Sequence, residues 1–401
     1  MTPRDHAHHL FHAGLAAANP AAAVRRALAL AQRPDLILAV GKAAVGMARA
    51  ALEIHGAVET LVVTNDENAT DLPGATVLAS GHPVPDQRGA AAAERLLARL
   101  SLMQPGQRVL ALISGGGSAL LPAPVAGVSL ADKATVSRLL LASGAEITQM
   151  NLVRQQLSRL KGGGLLRAAH PAHVTALILS DVVGDDLRAI ASGPTTAPLG
   201  TRTDARAILL AHGLWASLPA SVRTHLDALE APLPPLPEAE NILIGSNALS
   251  LAAMAAAEPT ARLAPPPLTG DVADAAARVA ASPPGITLFG GETTVILKGK
   301  GCGGRNQELA LRVALLAEAR GWAGPWVFLS GGTDGRDGPT DAAGAVVDQG
   351  SLARMRQMGI DPGERLLQND SYPCLAASGD LLITGGTGTN VADLQVLIRP
   401  N

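Results

Sequence analysis

The chain has 401 residues, a formal charge of −2 at neutral pH, 47% hydrophobic residues and only 2% aromatic ones. That length suits two ordinary domains with cores of Ala, Leu and Val, and the near-neutral charge with so few rings for stacking bases excludes a nucleic-acid binder. Two cysteines, Cys302 and Cys374, make no disulfide framework, no run approaches the ~20 apolar residues of a membrane span, and the opening MTPRDHAHHLFHAG lacks an apolar signal stretch, so a cytoplasmic protein without membrane contact is expected.

In chain order, LILAV (36–40) predicts a buried strand and a helix begins near Ala43. TLVVT (60–64) and ATVLA (75–79) predict strands, 86–103 a helix, RVLALI (108–113) a buried strand, 131–160 one or two helices, and VTALILS (174–180) another strand. This alternation predicts a mostly parallel sheet with helices on both faces, an α/β Rossmann-like domain. The proline-rich LEAPLPPLPEAEN (229–241) forbids helix and interior strand. It sets the expected boundary between domains 1–235 and 236–401. Beyond it come NILIG, a helix near 247–257, ITLFG, TTVIL, a helix over about 306–319, WVFLS and a last strand around LQVLI: a second, smaller α/β domain.

Ligands of open α/β sheets bind beyond the carboxyl ends of strands, so the residues that follow each strand are the candidates. They are Gly41-Lys42, SGHPVPD (80–86), SGGGS (114–118), SDVVGDD (180–186), GGE (290–292) and SGGTDGRDGPTD (330–341). Three successive glycines give up backbone stability and call for a tight turn or a close approach to a ligand, and bare N–H groups suit an oxyanion. Ser114, Gly115, Gly116, Gly117 and Ser118 therefore become a candidate phosphate loop, although a tight strand-to-helix turn explains the same string. It is not GxxxxGK[ST], and GKAAVG is not GxGxxG. Asp181 caps a turn or acts in chemistry. Asp334, Asp337 and Asp341 are turn formers or, with one or two carboxylates sufficing, a Mg²⁺ site. Arg305 in CGGRNQE stands at a helix start, a position for an oxyanion clamp. Lys161 before GGG ends a helix or contacts phosphate. His82 reads as structural and Cys302 as incidental.

Only five of the 32 basic residues are lysines: 42, 133, 161, 298 and 300. A lysine here marks a place where arginine does not serve, above all Lys42 at a strand end. Lys133 and Lys298 read as surface positions.

Taken together, VGKAAVGMA, SGHPVPD, LISGGGSALL, LSRLKGGGL, SDVVGDD, SGPT, GGETTV, GGRNQELAL, SGGTDGRDGPTDAAG and TGTNVADL resemble the glycerate 2-kinase family, whose members have also been called hydroxypyruvate reductases. The resemblance covers nearly the whole chain in order. It implies two α/β/α domains, N-terminal Rossmann-like and C-terminal MOFRL-like, with the active site in the cleft between them. It implies ATP-dependent phosphorylation of D-glycerate to 2-phosphoglycerate with Mg²⁺ or another divalent cation. Lys42, Arg305 and Asp181 take the catalytic places, residues 114–118 and Lys161 the ATP site, and Asp334 the metal. A homodimer stays open. One departure stands out: Arg154-Gln155-Gln156 replaces an Arg-Lys-His string. The rival readings are an NAD(P)H-dependent hydroxypyruvate reductase, which would need GxGxxG, and a non-catalytic metabolite-binding protein.

Overall fold

A computed structural model describes residues 1–229 and 234–399. The chain divides into two compact units, Pro20–Ile244 and Met1–Asn19 together with Gly245–Asn401. This division differs from the expected one. The first helix, Pro3–Ala17, belongs with the C-terminal residues, and the strand at Ala239–Gly245 belongs with the first sheet. The expected boundary segment itself lies partly outside the described residues.

The first unit holds strands β1 (Leu36–Val40), β2 (Glu59–Asn65), β3 (Thr76–Ser80), β4 (Arg108–Ile113), β5 (His173–Leu179) and β6 (Ala239–Gly245) in one sheet. Their order is β3-β2-β1-β4-β5-β6, and the pairs from β3 to β5 are parallel. This is the doubly wound order of dinucleotide-binding folds. Both faces are covered, and the strand alternation feeds both. Leu36, Leu38 and Val40 with Val109, Ala111 and Ile113 enter one core, while Ile37, Ala39, Leu110 and Leu112 enter the other. Burial on both faces is why the strands read as unbroken apolar runs.

The second unit is mixed. Its strands are β7 (Arg262–Leu263), β8 (Leu268–Asp271), β9 (Gly285–Thr294), β10 (Val327–Gly332), β11 (Gly344–Asp348), β12 (Leu381–Leu382) and β13 (Asp393–Arg399). They run β12-β11-β10-β13-β9-β7, with β8 beside β9. The central pairings β9–β13, β13–β10 and β10–β11 are antiparallel. The strands expected at ITLFG and TTVIL are one continuous β9 that stops at Thr294. Period-two alternation again decides the faces. Phe328 and Leu397 meet the helices Val272–Ala280 and Arg305–Ala319, while Leu329, Leu394 and Val396 meet Leu10 and Phe11 of the first helix.

No helix among the described residues is long and apolar enough to cross a membrane.

Candidate active site

In the first unit the strand order reverses between β1 and β4, and there two strand ends interlock. Ser114 N–H donates to the Val40 carbonyl (2.9 Å), Lys42 N–H to the Gly115 carbonyl (2.9 Å) and Ala43 N–H to Ser114 Oγ (3.1 Å). Gly41 has φ +126°, and a Cβ there would fall on Ser114 Oγ. The chain can pass only as glycine.

Gly116 has φ +85°, in the left-handed region. Its outer side faces the His82 ring at 3.2 Å and the Lys42 stem at 3.3 Å from an ideal Cβ. A Cβ at Gly115 would fall on the Asp181 carboxylate, and one at Gly117 would stand 2.9 Å from the Ala191 methyl. The triple glycine is thus the space taken by three neighbouring segments. Residues 42, 82, 114–118 and 181 come together, as the ends of β1, β3, β4 and β5. Among the described residues the Lys42 ammonium makes no hydrogen bond or ion pair.

Asp181 is half-buried, and burial raises its carboxyl above the usual range; N–H groups, that of Gly116 included, and the Lys42 cation oppose the rise. Burial, then the nearby Lys42 charge, pulls the His82 imidazole below its ordinary value.

Lys161 is 6% exposed; its ammonium donates to the Ser118 carbonyl (2.8 Å) and Oγ (3.1 Å). It braces the glycine loop from inside. Ser118 Oγ also bonds Ser192 Oγ. Ala191 and Ser192 have φ +49° and +61°, a strained pair of the kind that persists only where surroundings over-determine it. Gln155 supplies that determination: its amide donates to the Arg188 and Ser192 carbonyls (3.1 and 3.2 Å) and accepts from Leu199 N–H (2.8 Å). Gln156 donates to the Gly200 carbonyl (2.7 Å). The two glutamines that depart from the family string therefore hold the 188–200 loop.

Lys133 corrects an expectation. It is not a surface residue but 8% exposed, with Nζ 2.6 Å from the Pro122 carbonyl. Lys133, Val136 and Leu140 share the buried face of the helix Leu130–Ala142, a spacing already readable in the sequence.

In the second unit Arg305 opens the helix Arg305–Ala319 and is engaged by its own neighbours. Nε and Nη2 donate to the buried Asp393 carboxylate (2.6 and 2.9 Å), and Nη1 lies 3.1 Å from Glu292. Burial works against its charge, but the Asp393 and Glu292 carboxylates hold its pKa above the usual arginine value. The loop aspartates divide by role. Asp337 accepts Asn306 and Gln307 N–H (3.1 and 2.8 Å) at the start of that helix, and burial pushes it up to about 6. Asp341 accepts the Tyr372 hydroxyl (2.8 Å). Asp334 accepts Arg336 N–H (3.1 Å) and shares the approach to Gly332 with Asp393. Among the described residues no three His, Cys, Asp or Glu side chains are grouped to hold a metal ion. A cavity of about 540 Å³ opens beside Arg305, Glu292, Gly303 and Gly304. A groove of about 800 Å³ at the amino ends of β4, β5 and β6 lies away from all these groups.

Sequence reading singled out Gln155 without a role for it, and it missed the Ala191–Ser192 strain and the Asp393 partner of Arg305. The strings SGPT and TGTNVADL carried two of them, but only folding brings these residues to the loop and to the arginine.

Residues 6–227 match the family described as "Domain of unknown function (DUF4147)", and residues 285–393 match the MOFRL family. A protein of Agrobacterium vitis with the provisional name hydroxypyruvate reductase is 40% identical over 97% of this chain and 93% of its own length. The glycerate 2-kinase of Pyrococcus horikoshii is 38% identical over 90% of this chain and 86% of its own. The crystal structure of glycerate kinase from Thermotoga maritima superposes with a TM-score of 0.91 at 37% identity, over 98% of this chain and 99% of that one. With both family matches, full-length likeness and the shared fold, the chain belongs to the glycerate 2-kinase family.

Proposed function

We propose that the chain is a glycerate 2-kinase, transferring the γ-phosphoryl group of ATP to the C2 hydroxyl of D-glycerate and releasing ADP and 2-phosphoglycerate. The observation that carries this reading is the free Lys42 ammonium beside the Asp181 carboxyl and the left-handed Gly116 loop, at the strand-order reversal. Phosphoryl transfer asks for positioning and charge neutralisation more than covalent help. In this reading the hydroxyl oxygen attacks the γ-phosphorus, the bond to the ADP oxygen breaks, and the Asp181 carboxylate takes the hydroxyl proton. Lys42 neutralises charge on the transferring group. The loop 114–118, braced by Lys161, receives phosphate oxygens. Arg305, its fork oriented by Asp393, keeps the catalytic place that the family resemblance gives it. A divalent cation would be held by Asp334, since Mg²⁺ keeps most of its waters and needs one or two carboxylates.

The reductase reading is not favoured: no GxGxxG follows a strand end of the doubly wound parallel sheet, and the one match, GKGCGG (299–304), follows β9 of the mixed second sheet. One assay tests the proposal. ATP, MgCl₂ and D-glycerate should give ADP and 2-phosphoglycerate, identified by phosphorus NMR. ADP release that does not depend on glycerate, or NADH oxidation with hydroxypyruvate, overturns it.

A further inference from the structure

Arg305 takes its direction from Asp393, and Asp393 follows a residue that favours another conformation. It opens β13 directly after Ala392, whose φ of +64° lies in the left-handed region, disfavoured wherever a Cβ is present. Such a residue persists only where its surroundings over-determine it. Here three successive carbonyls are gripped by two side chains. The Asn247 amide donates one hydrogen to the Val391 carbonyl (2.9 Å) and the other to the Asp393 carbonyl (2.8 Å). Thr333 holds the carbonyl between them. Its hydroxyl and its N–H both donate to the Ala392 oxygen (2.6 and 3.0 Å), and its Oγ1 accepts Val391 N–H (2.8 Å).

Asn247 opens the helix Asn247–Ala257 and Thr333 follows β10, so the grip comes from two separate elements. Asn247, Thr333 and Asp393 are all buried. Gly290, the β9 neighbour of Leu394, leaves the room for it, since a Cβ there would fall on Asn247 Oδ1. A side chain that spans the carbonyls of 391 and 393 fixes the backbone dihedrals of the two residues between those peptide planes and the next. With them it fixes the Cα–Cβ direction of Asp393. The guanidinium follows, because Nε and Nη2 are both bonded to that carboxylate.

We infer that Asn247, with Thr333, is a positioning residue for Arg305, acting through the 391–393 backbone and the Asp393 carboxylate. The positioning stands on the second unit alone. Its effect on turnover rests on the kinase reading.

The side-chain Nε–H of Arg305 reports the positioning directly. Its NMR signal in the full-length protein is assigned by its loss in Arg305→Lys, and its exchange with water is measured in Asn247→Ala and in a control, Ser250→Ala. Ser250 is buried on the same helix, and its hydroxyl donates to the Gly14 carbonyl (3.0 Å). Exchange should speed at least tenfold in Asn247→Ala and stay within twofold in Ser250→Ala, with circular dichroism confirming both folds. An unmoved signal in Asn247→Ala, equal acceleration in both variants, or no protected signal in the wild type overturns the inference. Should Asn247→Ala fail to fold, Thr333→Val replaces it with the same expected and fatal results. In kinetics, Asn247→Ala should lower kcat about tenfold with KM for ATP within twofold, and Ser250→Ala should change neither. In an Arg305→Ala background the same substitution should cost less than twofold, whereas an equal loss in both backgrounds means that Asn247 does not act through Arg305. If the wild type turns over no ATP, or kcat holds while the signal loosens, the kinase reading or the place of Arg305 in it fails, and the exchange data still decide the positioning.

Discussion

The two units handle a cation in opposite ways. In the first, Lys42 projects from a rigid junction of two strand ends and meets no carboxylate in a direct bond. In the second, Arg305 is held on three nitrogens by Asp393 and Glu292 before any ligand arrives. Topology explains the contrast. In a parallel sheet whose order reverses, the loops after neighbouring strands diverge at the carboxyl ends, and Lys42 stands there. The antiparallel centre of the second sheet puts Asp393, the first residue of β13, against the helix that starts at Arg305. A cation with unspent bonds is available to a ligand, whereas one in a bidentate pair is fixed in direction.

The largest expected effect breaks this comparison on the open side. Lys42→Ala and the charge-conserving Lys42→Arg should each lose roughly 10²-fold or more in kcat, because a compact ammonium differs from a broad fork in a crowded site. Steady-state kinetics with circular dichroism check it, and near-normal kcat in Lys42→Arg would mean that positive charge alone suffices. Lys298→Arg, at an exposed position, should be silent.

On the fixed side, Arg305→Ala should lower kcat while leaving nucleotide affinity in place. It should also cost about 2 kcal/mol of stability, less than a fully buried pair because the arginine is a third exposed, since Asp393 is left buried and unpaired. Urea denaturation and nucleotide titration read the two parts separately. A variant of unchanged stability would make the Asp393 pairing incidental.

Gly116→Val sharpens the role of the loop. A β-branched residue at φ +85° carries roughly 1–3 kcal/mol of backbone strain, and its side chain would press on His82 and Lys42. ATP affinity should fall in a folded protein, and unchanged affinity would return the loop to a simple turn.

The smallest effect is electrostatic. Asp337 binds its proton more tightly when folded, so its contribution to stability is full below its ordinary 3.8 and is lost as pH rises through about 6. Asp337→Asn should flatten that part of a pH–stability curve measured by urea midpoint.

Much of the first unit was legible because buried parallel strands are continuous apolar runs and their carboxyl ends carry glycine, serine and aspartate. Lys42, Asp181 and the 114–118 loop stand where that rule places them. The second unit was harder to read. Antiparallel neighbours such as β10 and β13 are far apart in sequence, and β9 reads as two strands because Gly290 and Gly291 interrupt its apolar pattern. Lys133 was misplaced because its charge outweighed its spacing with Val136 and Leu140. The partnership of Arg305 with Asp393 spans 88 residues, and no local pattern encodes it.

The first helix, Pro3–Ala17, packs Ala7, Leu10 and Phe11 against strands that run as late as β13. During synthesis its apolar stripe emerges ahead of the strands it packs against, and its seat is finished only about 380 residues later. At ~5–20 residues per second that is a wait of roughly 20–75 s. The whole Pro20–Ile244 unit emerges in the interval and can fold as a unit of its own. The helix spends that time as a tethered amphipathic segment, exposed to chaperones and to other nascent chains, and the vectorial order of translation becomes the reverse of the order in which this unit can close.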